Sequence, residues 1–116
     1  MTIHRRHFTR VATQLAAAMG ARVIALDVSD ERLARARELG AAHTVNPAKD
    51  NAVTAIRELT GGLGAHGAFE AASSPQARQQ AVQCVRTWGK VYFVGEGGQV
   101  TLDVSPDLLR RQVTLM

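Results

Sequence analysis

Two carboxylates in this chain each close an apolar run. Asp27 ends the stretch Arg22-Val23-Ile24-Ala25-Leu26-Asp27, and Glu70 comes near the end of Gly67-Ala68-Phe69-Glu70-Ala71. A helix, a short apolar strand and a terminal acid make the second half of a dinucleotide-binding βαβ unit. In such a unit the acid accepts hydrogen bonds from ribose hydroxyls. Asp27 is therefore a candidate nucleotide ligand. The first half needs a strand running into a glycine-rich turn, roughly 20 residues upstream. Here that stretch is Met1-Thr2-Ile3-His4-Arg5-Arg6-His7-Phe8-Thr9, which contains no glycine. Glu70 reads as a structural carboxylate that caps neighbouring backbone, in preference to an acid catalyst.

The remaining reactive side chains point away from metal and nucleophilic chemistry. His4 and His7 lie in the amino-terminal segment, His43 and His66 near strand starts, and none has metal-ligand spacing. Cys84 is the only cysteine, so neither an internal disulfide nor a multi-cysteine zinc site can form. Lone-cysteine usage fits a reducing, cytoplasmic setting. Beside Ala81 and Val85 in a helical stretch, Cys84 is expected to be a buried, inert thiol. Gly61-Gly62-Leu63-Gly64 follows a helix and precedes a strand, the reverse of a phosphate loop. Gly95-Glu96-Gly97-Gly98 follows a strand, but an extended segment comes next. Both are predicted to be loops, and no residue is assigned a catalytic or metal-binding role.

The chain has 116 residues and a net charge of +4, enough for one domain with a core of its own. Arg5, Arg6 and Arg10 fall in the first ten residues, which hold no acid. Without them 11 basic residues face 10 acidic ones, so the body is almost neutral. Residues 1–10 are read as a solvated basic tail. Nucleic-acid binding would reside in that tail and fall steeply with salt; the neutral body argues against it. No apolar run approaches the ~20 residues that span a bilayer, and no signal peptide is evident.

These residues need elements to hold them. Val11, Leu15 and Ala18 mark one face of a helix that Gly20 closes. After the strand at 22–27, Asp30 can cap a helix with the face Leu33, Ala36 and Leu39, stopped by Gly40. His43-Thr44-Val45 is a short strand. Val53, Ile56 and Leu59 give a third helix, ended by Gly61-Gly62. The strand at 67–71 follows. Ser74-Pro75 starts a helix, a cap with proline in the first turn, that is expected to run to Trp88-Gly89. Lys90-Val91-Tyr92-Phe93-Val94-Gly95 is the clearest buried strand. Val100-Thr101-Leu102 is a lesser strand, Ser105-Pro106 opens a short helix through Arg111, and Val113–Met116 begins a last strand. Strands alternating with helices predict an α/β fold, a doubly wound and mostly parallel sheet.

The segments 18–27 (Ala-Met-Gly-Ala-Arg-Val-Ile-Ala-Leu-Asp), 38–47 (Glu-Leu-Gly-Ala-Ala-His-Thr-Val-Asn-Pro), 69–71 (Phe-Glu-Ala) and 89–95 (Gly-Lys-Val-Tyr-Phe-Val-Gly) resemble the cofactor-binding, Rossmann-type domain of the medium-chain, zinc-type alcohol and polyol dehydrogenases. The resemblance covers about residues 11 to 116. Residues 94–103 look most like members acting on polyols or similar secondary alcohols.

The resemblance implies NAD as cofactor. Asp27 matches the acid on the adenosine ribose, and its charge would repel a 2′-phosphate, favouring NAD over NADP. Arg32 matches a basic position near the adenosine end. Val94 and Gly95 match the strand end whose backbone meets the nicotinamide side. Ala71 and Ala72 match another backbone contact there, beside Ser73, which replaces a usual glycine. The departures are as specific. In the family register the three turn glycines fall on His4, Arg6 and Thr9, all bearing side chains where the turn needs none. The central first strand shrinks to Met1-Thr2-Ile3. The catalytic domain, with its zinc ligands and proton relay, has no counterpart here. The expectation is thus a basic non-family tail (1–10) and an incomplete dinucleotide-binding domain (11–116), truncated at both ends. It holds no zinc and does not transfer hydride alone. The partners expected are a homodimer through the C-terminal edge strand and a catalytic half on another chain; an oligomerising module that no longer binds cofactor is the alternative.

Overall fold

The computed structural model describes residues 5–116. Its elements run α1 (Arg5–Ala18), β1 (Ile24–Leu26), α2 (Asp30–Glu38), β2 (His43–Val45), α3 (Ala52–Leu59), β3 (Ala65–Glu70), α4 (Pro75–Cys84), β4 (Val85–Phe93), a π-helix at Val104–Leu109, and β5 (Thr114–Leu115). The architecture is α/β with parallel strands, as the alternation of periods predicts. The chain divides into two compact units, one up to Ala55 and one from Ile56 to Met116. Among the described residues no helix is long and apolar enough to cross a membrane.

In the first unit β1 pairs in parallel with β2, Ile24 opposite His43 and Leu26 opposite Val45. Leu33, Ala41 and Val45 are buried. Gly20 and Gly40 end α1 and α2 as expected. Each has positive φ (92° and 111°), and the next amide reaches back, Ala21 N–H to Ala16 O and Ala41 N–H to Ala36 O, both 3.0 Å. That is the Schellman stop, which a glycine adopts without a Cβ penalty. Two expectations fail here. Ser29, not Asp30, caps α2, its hydroxyl accepting the Arg32 N–H. An Asx or Ser cap must precede the helix, and Asp30 is already its first residue. On α1 the expected face is wrong: Val11 and Leu15 are 57% and 59% exposed, whereas Thr13 is buried and Ala12, Ala16 and Ala17 are half-buried. The small residues win because they permit close approach. A Cβ on Gly40 would lie 2.9 Å from the Ala17 Cβ.

From Arg5 to Arg10 the backbone is helical, continuous with α1. The short strand expected at Met1-Thr2-Ile3 lies outside the described residues.

In the second unit β3, β4 and β5 form a parallel sheet in that order. Val82, Val85 and Val91 are fully buried at its core, with Ala68, Ala81, Phe93, Leu102, Leu108 and Val113 packed on them. Ser74 caps α4, accepting the Ala77 N–H at 3.1 Å, and Pro75 follows in the first turn. The helix ends at Cys84, four residues short of the expected Trp88, and Val85 is already in β4. Its final carbonyls are taken by distant guanidinium groups. Arg111 donates to Val82 O (3.0 Å) and Arg57 to Gln83 O (3.4 Å), and Arg111 also reaches Val85 O just past the helix (2.7 Å). β4 then bulges against β3, its register jumping between Ala65 and Gly67.

Val100-Thr101-Leu102 is not a strand. The next amide, Asp103 N–H, donates to the Asp107 carboxylate (2.9 Å) and draws the segment into the start of the helix. That helix begins at Val104 after Asp103, not at Ser105-Pro106, and is a π-helix. Its wide turn is closed by Arg110 N–H on Ser105 O (2.9 Å).

Candidate functional site

Asp27 follows β1 directly and is tied to the sheet by its N–H on Val45 O (3.3 Å). One carboxylate oxygen, Oδ1, accepts the Ser29 N–H at 2.9 Å. The other, Oδ2, lies 3.7 Å from Arg32 Nη1, with 27% of the Asp27 side chain and 53% of the Arg32 side chain exposed. The strand end, the Ser29 cap and the first turn of α2 thus bring Asp27 and Arg32 together. An exposed pair this long gains little from its own attraction. Both groups retain capacity for a ligand, the carboxylate as an acceptor for hydroxyls and the guanidinium as a donor.

Around this edge Asn46 braces the turn, its amide donating to Val28 O (3.1 Å) and Asp30 Oδ1 (2.9 Å). Lys49 pairs with the other oxygen of Asp30. Hydrogen bonds from Lys49 first and Asn46 second hold the Asp30 carboxyl below its ordinary value, and the Asp30 bond holds the Lys49 ammonium above its own.

The second cluster lies at the carboxyl ends of β3 and β4, within the second unit. Glu70 is 4% exposed. Its Oε1 accepts the Ser73 N–H (2.5 Å) and its Oε2 the Arg78 Nε–H (3.3 Å). Its main-chain carbonyl accepts two more amides, Val94 (2.8 Å) and Gly95 (3.2 Å). Arg78 Nη2 donates to the Gly95 carbonyl at 2.7 Å. Glu70 therefore caps backbone as the sequence reading holds, and it also forms a buried ion pair. Val94, Gly95 and the neighbouring Ala71-Ala72 segment surround this cluster, with Ala72 exposed. Both clusters obey the rule that ligands of open α/β sheets bind beyond the carboxyl ends of the strands.

The sequence reading missed Arg78. A buried arginine needs an acid partner, and Glu70 eight residues earlier was that signal. It also underrated Ser73, which stands at φ +62° where the resembled family has glycine.

The residues fit a dinucleotide unevenly. The ribose end has its acid at a strand terminus. Arg6 and Thr9 are inside α1, and His4 lies outside the described residues. Nor do His, Cys, Asp and Glu side chains gather in threes anywhere among the described residues. His43 is half-buried in β2, and His66 contacts Arg86 Nη1 through Nε2 at 2.7 Å. Cys84 is 3% exposed, and burial pushes its thiol up to about 11, so it is no nucleophile at neutral pH.

The family model for zinc-binding dehydrogenases matches residues 10–116. The chain belongs to the zinc-binding dehydrogenase family. Among its relatives in that family, an alcohol dehydrogenase of Rhizobium meliloti (strain 1021) is 40% identical over 102 residues, 87% of this chain and 29% of the relative. An alcohol dehydrogenase of Geobacillus stearothermophilus is 40% identical over 85 residues, 73% of this chain and 24% of the relative. The chain thus spans less than a third of the length of these dehydrogenases. The fold agrees. Benzyl alcohol dehydrogenase from Acinetobacter calcoaceticus superposes with a TM-score of 0.84 and 34% identity over 91% of this chain and 30% of that one. For 2R,3R-butanediol dehydrogenase from Bacillus subtilis the TM-score is 0.80 at 29% identity, over 92% and 31%.

Proposed function

We propose that this chain is the NAD-binding side of a zinc-type alcohol or polyol dehydrogenase. Asp27 takes the adenosine ribose hydroxyls and Arg32 lies at the adenosine end. The backbone at Ala72, Val94 and Gly95 serves the nicotinamide side. One observation carries this reading: a partly exposed carboxylate held at the carboxyl end of β1 with an arginine 3.7 Å away, in a chain of this family. The Asp27 charge disfavours a 2′-phosphate, so NAD is preferred to NADP. A cytoplasmic setting accompanies the reading, since Cys84 is the only cysteine and a buried free thiol.

Titration of NAD into the wild type and Asp27→Ala tests it. A hydrogen-bonded carboxylate is worth about 1.5–3 kcal/mol, so the variant should bind roughly ten- to a hundredfold more weakly. Equal affinity, or no binding by the wild type, overturns the reading. We further propose that these 116 residues transfer no hydride by themselves. Alcohol-dependent reduction of NAD above a heat-killed control would refute that.

A second reading is favoured by β5. It pairs with β4 on one side and is the last strand of its sheet, and such an edge can add a strand from another copy. On this reading the chain is a homodimerising module that binds no cofactor. Dimers in sedimentation without NAD affinity would select it.

A further inference from the structure

We propose that Arg78 is a positioning residue: through the Gly95 carbonyl it sets the backbone of Val94 and Gly95 for the nicotinamide side of the cofactor. The inference rests on the NAD reading above. Gly95 is held from both sides. Its N–H is bound by the Glu70 carbonyl at 3.2 Å and its own carbonyl by Arg78 Nη2 at 2.7 Å. Arg78 is in turn fixed by its Nε bond to Glu70 Oε2 and by the Phe93 ring, 5.5 Å from its Cζ. The loop then folds over the guanidinium, since a Cβ on Gly98 would lie 3.2 Å from Arg78 Nη1 and 2.8 Å from Ser73 O. One planar fork thus joins the end of β3, the first turn of α4 and the end of β4.

A pair kept only for stability would need no third partner. The geometry here spends a charge-assisted donor on a main-chain carbonyl at a strand terminus, which fixes the orientation of one peptide unit. Lysine could keep the charge opposite Glu70 but has no rigid second arm for Gly95. Arg78 does not have to touch the cofactor to act in this way.

The test uses the full chain, with NAD and ADP-ribose as separate calorimetric ligands and amide exchange as a ligand-free readout. Arg78→Lys should weaken NAD on the order of tenfold and leave ADP-ribose unchanged, while exchange at Gly95 quickens and that at Phe93 does not. Because an unpaired buried charge is costly, the double variant Glu70→Gln with Arg78→Met provides a charge-free check and should show the same selective loss. An equal loss of both ligands, no loss of either, or unchanged exchange at Gly95 overturns the proposal while leaving the NAD reading in place. A wild type that binds neither ligand overturns the NAD reading, and this inference with it.

Discussion

The Ser73 hydroxyl fills the space that a side chain on residue 95 would need. An ideal Cβ on Gly95 would stand 2.1 Å from Ser73 Oγ, 3.1 Å from Ser73 Cβ and 2.9 Å from Ser73 N. The β3–α4 loop and the end of β4 are therefore fitted to each other with no room for a methyl group. Gly95→Ala should cost about 3 kcal/mol, the upper range for overpacking. In a Ser73→Gly background the two side-chain clashes vanish and only the backbone contact remains. The penalty should then fall by about 1 kcal/mol or more, read as coupling in a double-mutant cycle by urea unfolding. Additive losses would show that the two residues are independent.

Trp88 offers the opposite test, a substitution that should stabilise. It stands at φ +66° with 74% of its surface exposed, in the bulge where its N–H reaches Arg111 O at 2.8 Å. A left-handed conformation costs a residue with a Cβ about 1–2 kcal/mol, and so exposed a ring regains little of that by packing. Trp88→Gly should raise stability by about 1 kcal/mol. It removes the only tryptophan, so circular dichroism has to follow the unfolding. A destabilised variant would mean that the indole makes a contact worth more than the backbone strain.

Cys84 ties the pH dependence to burial. Desolvation raises its thiol from 9.0 to about 11, against the pull of the Arg57 and Arg111 charges. A folded-state value above the unfolded one gives stability that is fully present below pH 9 and is lost as pH rises through 11. The loss should be about 3 kcal/mol across that window and should be missing from the slope of Cys84→Ala. Alkylation by iodoacetamide at pH 8 should be slow in the native protein and rise in step with urea unfolding. Fast labelling of the native thiol would contradict the buried position.

Much of this was legible in the sequence because its cause is local. Gly20 and Gly40 stop their helices through one residue's positive φ, and Ser74-Pro75 starts α4 through one hydroxyl and one fixed ring. Asp27 and Arg32 meet because five residues of strand end, cap and helix turn leave them little choice. The α/β alternation follows in the same way from the periods of the apolar residues.

What needed the tertiary structure is what depends on partners far along the chain. Nothing near Cys84 says that α4 must end there. Arg111 and Arg57 cap its last carbonyls, Val82 and Gln83, from 29 and 26 residues away. The face of α1 follows the fit of Ala17 against Gly40 and not the size of Val11 and Leu15. The Glu70–Arg78–Gly95 cluster combines a strand end, a helix turn and a second strand end, so no single segment reveals it. By itself the sequence determined the family, the alternation of elements and the acid at the strand end, since each rests on short-range geometry. Only the tertiary structure decided which helix face is buried, where α4 stops and what holds Gly95, because those are settled by desolvation and hydrogen bonding between distant residues.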